Sequence, residues 1–586
     1  MSLLMRATAD ILFNSNKSYF KLTSNIVFKL YTNNFSKILS SNVNICTIRL
    51  HETEAFNVSQ KKIVNITYDE LFERRRLQAQ HSVLIEVQSE KSYTDVYLCC
   101  SQYGKIKSVF HYAIHKTNRH FVLIEFENQN SINAILAAST HVNCNQIIPV
   151  QTTMLWFRNY KQKLDKKLSN SLADFHLYKN FTKILNENEV LKSLTMAESI
   201  SHQMFLLYRV TKLNDIGIRL RFYTAHLLER CFYGLFPNIA VLPFGSSVNG
   251  FGKDGCDLDL SIILAKNKAE TSASQLVFQT KSNYSHEKYE TRKIIEIIAD
   301  TIKVFLPGIS NMRKVLEARV PIIKFHHTLT GIECDLSMTN MSAYYMSELL
   351  YIYGEIDNRV KPLIFTVRKW AESVQLTNKM VPGQCITNFS LSLMVIFFLQ
   401  QKKILPTINL LKAHATRDDI RIADVCVDCT FHRDITKLQE VTKGHSQDSL
   451  EELLREFFTF YGNFDFETKA ISLKEGHTLA KPEYSALYIC NPLELTFNVS
   501  KNVSFQELGR MRAAIRCAAW YLEDANSNKK SENWGLISLF LNKSIEKTYI
   551  APSIDIEALF QSNKDFTIKK DSNVKSTQKK NKSKFS

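Results

Sequence analysis

The chain is 586 residues long, 45% hydrophobic and 22% charged, with a formal net charge of +17. That length exceeds one ordinary core and implies several domains, and the composition excludes a fibrous or wholly disordered chain. No apolar run reaches the roughly 18 residues of a membrane span, and the positive surplus favours a polyanionic partner, nucleic acid or anionic membrane.

Residues 1–50 carry Arg6, Lys17, Lys21, Lys29, Lys37 and Arg49 against a single acid, Asp10. Basic, Ser/Asn-rich and without one apolar block, they read as a mitochondrial transit peptide and place the protein in the mitochondrial matrix. Over 60–150 the pattern is helix, strand (81–87), helix (92–104), two strands (105–115 and 119–126) and a second helix (128–139). That β-α-β-β-α order is the small ferredoxin-like unit. It resembles an RNA-recognition motif: Arg119, Phe121 and Phe126 fit the basic and aromatic positions of its third strand. His120, Leu123 and, in the first strand, Leu84 stand where glycine and stacking aromatics are expected. Base stacking on this sheet should be weak, and the expected role is an interaction module through which the chain forms a homodimer.

Residues 155–195 read as a lysine-rich helical linker. From 196 the pattern changes to long amphipathic helices around a few strands. Residues 205–237 form a helix or helix pair, 240–247 and 256–264 are strands, and 319–327 with 331–338 make a hairpin. The chain is mainly helical over 351–560 and ends in a lysine-rich tail, 561–586, with the composition of a disordered segment. The expected fold class is α+β: the RNA-recognition-like unit, a second unit over 196–350 built on a small mixed sheet, and a mainly helical domain over 351–560. The twelve cysteines are scattered and show no disulfide framework. Cys426 and Cys429 with His432 have half of a zinc spacing, and no second pair completes it.

The chemistry sits in "PFGSSVNGFGKDGCDLDLSI", 243–262. Residues two apart on a strand share a face, so Asp257 and Asp259 project together while Leu258 and Leu260 turn to the core. Two carboxylates that close are costly unless a cation lies between them. Hard oxygen ligands suit Mg²⁺, with Mn²⁺ as the alternative. Asp335, alone in a short apolar strand, is the best third carboxylate, and the Gly245-Ser246-Ser247 turn offers backbone N–H groups and hydroxyls to a phosphate.

Gly-Ser, a spacer and alternating hydrophobic–Asp–hydrophobic–Asp together resemble the DNA polymerase β-like nucleotidyltransferases. The segments "ARVPIIKF" and "ECDLSMTN", the helices at 359–373 and 387–400, and 488–504 are similar to the poly(A)/poly(U) polymerase branch, and most of all to its mitochondrial poly(A) polymerases. The resemblance implies an RNA 3′-end substrate, ATP, and two metal ions on Asp257, Asp259 and Asp335. It implies further nucleotide contacts at Gly245, Ser246, Ser247, Ser347, Arg368, Phe389, Asn491 and Glu494. Of two lysines expected four apart on a phosphate-facing helix, Arg368 takes the first place and Glu372 the second; Glu372 cannot bind phosphate. No His lies in 486–515, where uridylyl-adding relatives have one, which tilts the base toward adenine. A terminal uridylyltransferase of mitochondrial RNA and a catalytically dead RNA-binding scaffold are the competing readings.

Overall fold

The computed structural model describes residues 66–541 except 115–116, 140–151, 158–177, 180–185, 235, 237–238, 265–286, 378–383, 424–426, 443–446 and 525–533. The expected transit peptide and basic tail therefore lie outside the described residues.

The first described helix, α1 (Tyr68–Gln80), starts at a capping box in which Thr67 and Glu70 satisfy each other's backbone N–H. It leads into strands β1 (Ser82–Val87), β2 (Ile106–Ile114) and β3 (Arg119–Phe126), with helices α2 (Tyr93–Cys100) and α3 (Gln129–Ala138) placed among them as the sequence pattern requires. Two further strands, β4 (Met154–Trp156) and β5 (Tyr178–Lys179), close the sheet in the order β4-β1-β3-β2-β5. Most of the expected helical linker over 155–195 lies outside the described residues, and part of the remainder is strand. Met154–Trp156 pairs in parallel with Leu84–Glu86, 178–179 is strand, and only α4 (Glu187–Thr195) is helical among the described residues there. The short apolar run Met154-Leu155-Trp156 gains ladder hydrogen bonds along β1 that a local reading of lysine content does not register.

One face of this sheet packs on its own helices, with Val83, Ile85, Val109, Val122 and Ile124 against Val96, Ile132 and Ile135. The opposite face carries Leu84, Phe110, Tyr112, Phe121 and Leu123, all buried in the main core with Phe72, Phe222 and Tyr223. The described residues beyond Asn65 belong to one compact unit, and this face is a dock for helices outside its own sheet, with Phe72 on α1 and Phe222 and Tyr223 on the later helix Asp215–Phe232.

Helices α5 (Ile200–Thr211) and α6 (Asp215–Phe232) resolve the expected helix pair. Asn214 caps α6 through the Gly217 N–H. The second sheet is built from β6 (Ile239–Phe244), β7 (Leu258–Leu264), β8 (Ile309–Val315), β9 (Ile322–His327) and β10 (Ile332–Met338), in the order β6-β7-β10-β9-β8. β7 and β10 are parallel, and the other pairs are antiparallel. Leu258, Leu260, Ile262, Ile323, Phe325 and Leu336 are buried in the main core, which includes residues of α6 and of α7 (Glu287–Phe305). After β10 come α8 (Met341–Ile356), α9 (Val360–Ser373) and α10 (Asn388–Gln401), then the helices Leu450–Gly462 and Phe505–Asp524. Helix α10 is buried along most of its length, which explains why it is apolar all round without spanning a membrane.

Candidate active site

Strand register builds the site. Asp259 is paired with Phe244 on one side and with Asp335 on the other. The Gly-Ser turn and the third aspartate thus flank one residue of β7. Asp257 lies just before β7 and is exposed; Asp259 and Asp335 are partly exposed. The turn after β6 runs at φ +71° at Gly245, and a Cβ there would come within 2.5 Å of the Asp259 Oδ2. Glycine is therefore needed for its backbone and for the closeness of the carboxylate. The Gly245 N–H donates to Ser347 Oγ at 2.7 Å, and that hydroxyl donates back to the Ala343 carbonyl at 2.8 Å. Helix α8 so fixes the turn.

Burial first, then the neighbouring carboxylates of Asp335 and Asp257, push Asp259 up to about 7; Lys324 opposes the shift. Lys324 faces Asp335 across the β9–β10 ladder and its ammonium pairs with that carboxylate. Among the described residues no three His, Cys, Asp or Glu side chains stand close enough to cage a cation as they are. The donor set nonetheless fits a hard divalent ion: three carboxylates on and just before two neighbouring interior strands, with surplus negative charge and one of them partly neutralised by a lysine.

The cleft in front has a volume of about 990 Å³. Gly245, Ser246, Asp257 and Asp259 line it from the sheet side. Ser347, Arg368 and Phe389 line it from α8, α9 and α10, and Asn491 and Glu494 from the later segment. Two expected site residues do not line it. Ser247 is buried behind the turn, where its hydroxyl accepts from Arg221 Nε at 3.2 Å and donates to the Asp257 carbonyl at 3.2 Å. Asp335 stands beside the cleft on the next strand.

Several expected contacts are already engaged. Arg368 donates to the Phe251 carbonyl at 2.7 Å, and burial lowers its pKa to about 10, so it stays charged. Asn491 Oδ1 accepts the Leu493 and Glu494 N–H groups, both at 3.0 Å, shaping the turn that carries Glu494. Glu494 accepts from Ser342 Oγ at 3.2 Å and pairs with Arg319, whose guanidinium lies 4.3 Å from the Phe497 ring centroid. Sequence reasoning missed Arg319, Ser342 and Lys324. Lys324 was findable in principle, since pairing the 319–327 and 331–338 strands about their turn sets it opposite Asp335. Of the half zinc spacing, His432 is bonded to Asp419 at 3.3 Å, Cys429 is buried, and Cys426 lies outside the described residues.

Three aspartates across two parallel strands, a glycine-led turn against them and a helical wall opposite define a nucleotidyltransferase palm. Comparison with known proteins gives the particular group. A family described as "Poly(A) RNA polymerase, mitochondrial-like, central palm domain" matches residues 200–355, "Cid1 family poly A polymerase" matches 449–497, and an "RL domain" matches 67–140. The chain is 42% identical to the mitochondrial poly(A) RNA polymerase of Drosophila melanogaster over 504 residues, 83% of this chain and 82% of that one. It is 36% identical to the Homo sapiens protein of the same name, over 82% of each. A crystal structure of mtPAP in complex with ATPγS superposes with a TM-score of 0.71 at 36% identity, covering 81% of this chain and 99% of that one. The chain belongs to the mitochondrial poly(A) RNA polymerase family.

Proposed function

We propose that the chain is a template-independent polynucleotide adenylyltransferase that adds AMP from ATP to the 3′ ends of RNAs in mitochondria. The observation that carries this reading is the register of Asp335, Asp259 and the Gly245 turn on adjacent strands, with Asp259 and Gly245 lining a nucleotide-sized cleft and Asp335 beside it. Relatives of the same fold have been solved with ATPγS bound.

Asp257, Asp259 and Asp335 would hold Mg²⁺, which when bound lowers the pKa of the RNA 3′-hydroxyl and offsets the charge of the phosphates. The chain's own residues do the rest. Ser246 and the N–H groups of its turn receive the terminal phosphates. Ser347 locks Gly245, so the turn is set before the nucleotide arrives. Asp335, on the strand beside Asp259, would accept the proton as the 3′-oxygen attacks the α-phosphorus. A new P–O bond forms, the α–β bond breaks, and pyrophosphate leaves. Phe389 supplies an apolar wall for the base, and Glu494, held by Arg319 and Ser342, borders it as an acceptor suited to an exocyclic amine.

We read the N-terminal unit as RNA-recognition-like in fold only, since the sheet face such domains use for bases is packed on α6. A homodimer would then use its helices or strand edges. Relatives solved with UTP and with GTP keep base choice an open test. Primer extension of a short RNA with each nucleotide separately decides it: an ATP ladder lost in Asp259→Ala is expected. A UTP ladder would make the chain a uridylyltransferase, and RNA binding without any ladder would make it a scaffold.

A further inference from the structure

Helix α9 leaves a gap in the phosphate-binding machinery: Arg368 is spent on the Phe251 carbonyl, and Glu372 stands where a cation is expected. The structure fills that gap from elsewhere. Lys253, in the glycine-containing loop 250–256, bonds both Glu372 oxygens at 3.0 and 3.1 Å. Lys369, three residues before Glu372, lies 2.8 Å from Glu187 and 3.7 Å from Glu372. All four side chains line the cleft together with Ser246.

Lys253 starts from a favourable place. A Cβ on the preceding residue, Gly252, would come within 2.5 Å of the Ser246 carbonyl, so the loop backbone is pressed against the turn that would receive the terminal phosphates. Lys253 is also held by an antiparallel bridge to Lys212, and the carbonyl of Phe251, two residues before it, is gripped by Arg368. Its side chain is 41% exposed. An exposed lysine–glutamate pair is weak and exchanges readily for a better anion, and a triphosphate offers several oxygens at higher charge density.

We propose that Lys253 is a triphosphate-binding residue of this enzyme, with Glu372 as the counter-ion that parks its ammonium at the cleft until a nucleotide takes it over. Arg368 acts as a positioning residue that braces the loop. The lost cation of α9 is thereby replaced from the loop after the Gly-Ser turn, and the same ammonium holds the leaving pyrophosphate. No covalent step is added; the exchange is one ion pair for another. The inference rests on the adenylyltransferase reading.

The test is steady-state extension kinetics on the full chain, with ATP and RNA varied separately and pyrophosphate as product inhibitor. Lys253→Ala is expected to raise KM for ATP about tenfold, the worth of one charge-assisted contact, and to weaken pyrophosphate inhibition by a similar factor. KM for RNA should not move. Lys253→Arg should restore most of the affinity, and Glu372→Gln, which removes the competing anion, should lower KM for ATP. An ATP KM for Lys253→Ala within about twofold of the parent, or an equal rise in the KM for RNA, would overturn the assignment. Failure of the parent chain to extend RNA with ATP would instead overturn the activity on which it rests. The two failures are therefore distinguishable.

Discussion

The described residues contain two five-stranded sheets of similar size, and they are used in opposite ways. The N-terminal sheet buries both faces, one on α2 and α3 and the other on the core shared with α6. The palm sheet buries one face and leaves Asp259, Asp335 and Lys324 on the other, at the rim of a cleft. A sheet becomes a site by what its second face is denied: cover. Leu84 and Leu123 make a good dock because they are apolar, and for the same reason they offer nothing to a base. The aspartates make a good site because leaving them half-solvated is tolerable, whereas full burial without a partner is not.

The sharpest way to break this contrast is at the open face. Asp259→Ala should reduce extension by about a thousandfold or more, as loss of a central electrostatic group in a preorganised site does. The thermal midpoint should hold or rise, because removing one of three crowded carboxylates relieves repulsion. Extension rates with a melting curve on the same sample check both parts. A drop in stability without loss of rate would mean that the palm face is structural after all.

The next largest effect belongs to the covered face. Phe121 is 1% exposed, and its ring stacks on Tyr112 with centroids 5.3 Å apart. Phe121→Ala should cost about 3–5 kcal/mol of stability through the cavity it leaves, with RNA affinity of the remaining folded protein unchanged. Denaturant unfolding beside an RNA-binding titration separates the outcomes. An RNA-reading sheet would show the reverse, lost affinity at intact stability.

These two regions also differ in how far the sequence discloses them. The palm site was legible because its signal is local. Gly245, Asp257 and Asp259 fall within fifteen residues, and Asp335 betrays itself as a lone carboxylate in an apolar strand. The apolar character of the N-terminal sheet's second face was legible from Leu84 and Leu123. What covers it was not, since α6 lies about a hundred residues downstream and docking is a property of tertiary packing. The same limit hid the partners of the site. Lys324, Arg319 and Lys253 act through register or through contacts distant in sequence. Strand β4 escapes a local reading because three apolar residues take strand form only when β1 is there to pair with.

The buried side of the palm sheet gives a pH prediction of intermediate size. His327, at the end of β9, is fully buried, with Nδ1 2.7 Å from Thr330 Oγ1. Burial pulls its pKa down to about 4; the Pro307 carbonyl opposes this and His326 adds to it. A base with a depressed folded pKa is carried neutral by the fold, so the unfolded chain binds the extra proton. Stability should be intact above about 6.5, the unfolded value, and fall as the pH drops toward 4, by up to about 3 kcal/mol. Urea midpoints from pH 7 to 4 should show the decline, and His327→Gln should flatten it. An equal slope in the variant would mean that water reaches this face and that the two faces of the palm sheet differ less than the packing implies.

The smallest effect tests the seam between the sheets. Tyr223, buried on α6, accepts the Leu84 N–H at 3.2 Å and donates to the Thr153 carbonyl at 2.9 Å, with Thr153 Oγ1 2.7 Å away. Tyr223→Phe keeps the ring and removes only the hydroxyl. Leu84 N–H still reaches the Thr153 carbonyl at 3.1 Å, so no backbone donor is orphaned and the cost should stay near about 1 kcal/mol. If the dock were held mainly by this polar cluster, the loss would approach that of Phe121→Ala. A value well below it, with kcat unchanged, assigns the seam to its apolar residues, which is what a face built for covering rather than for chemistry requires.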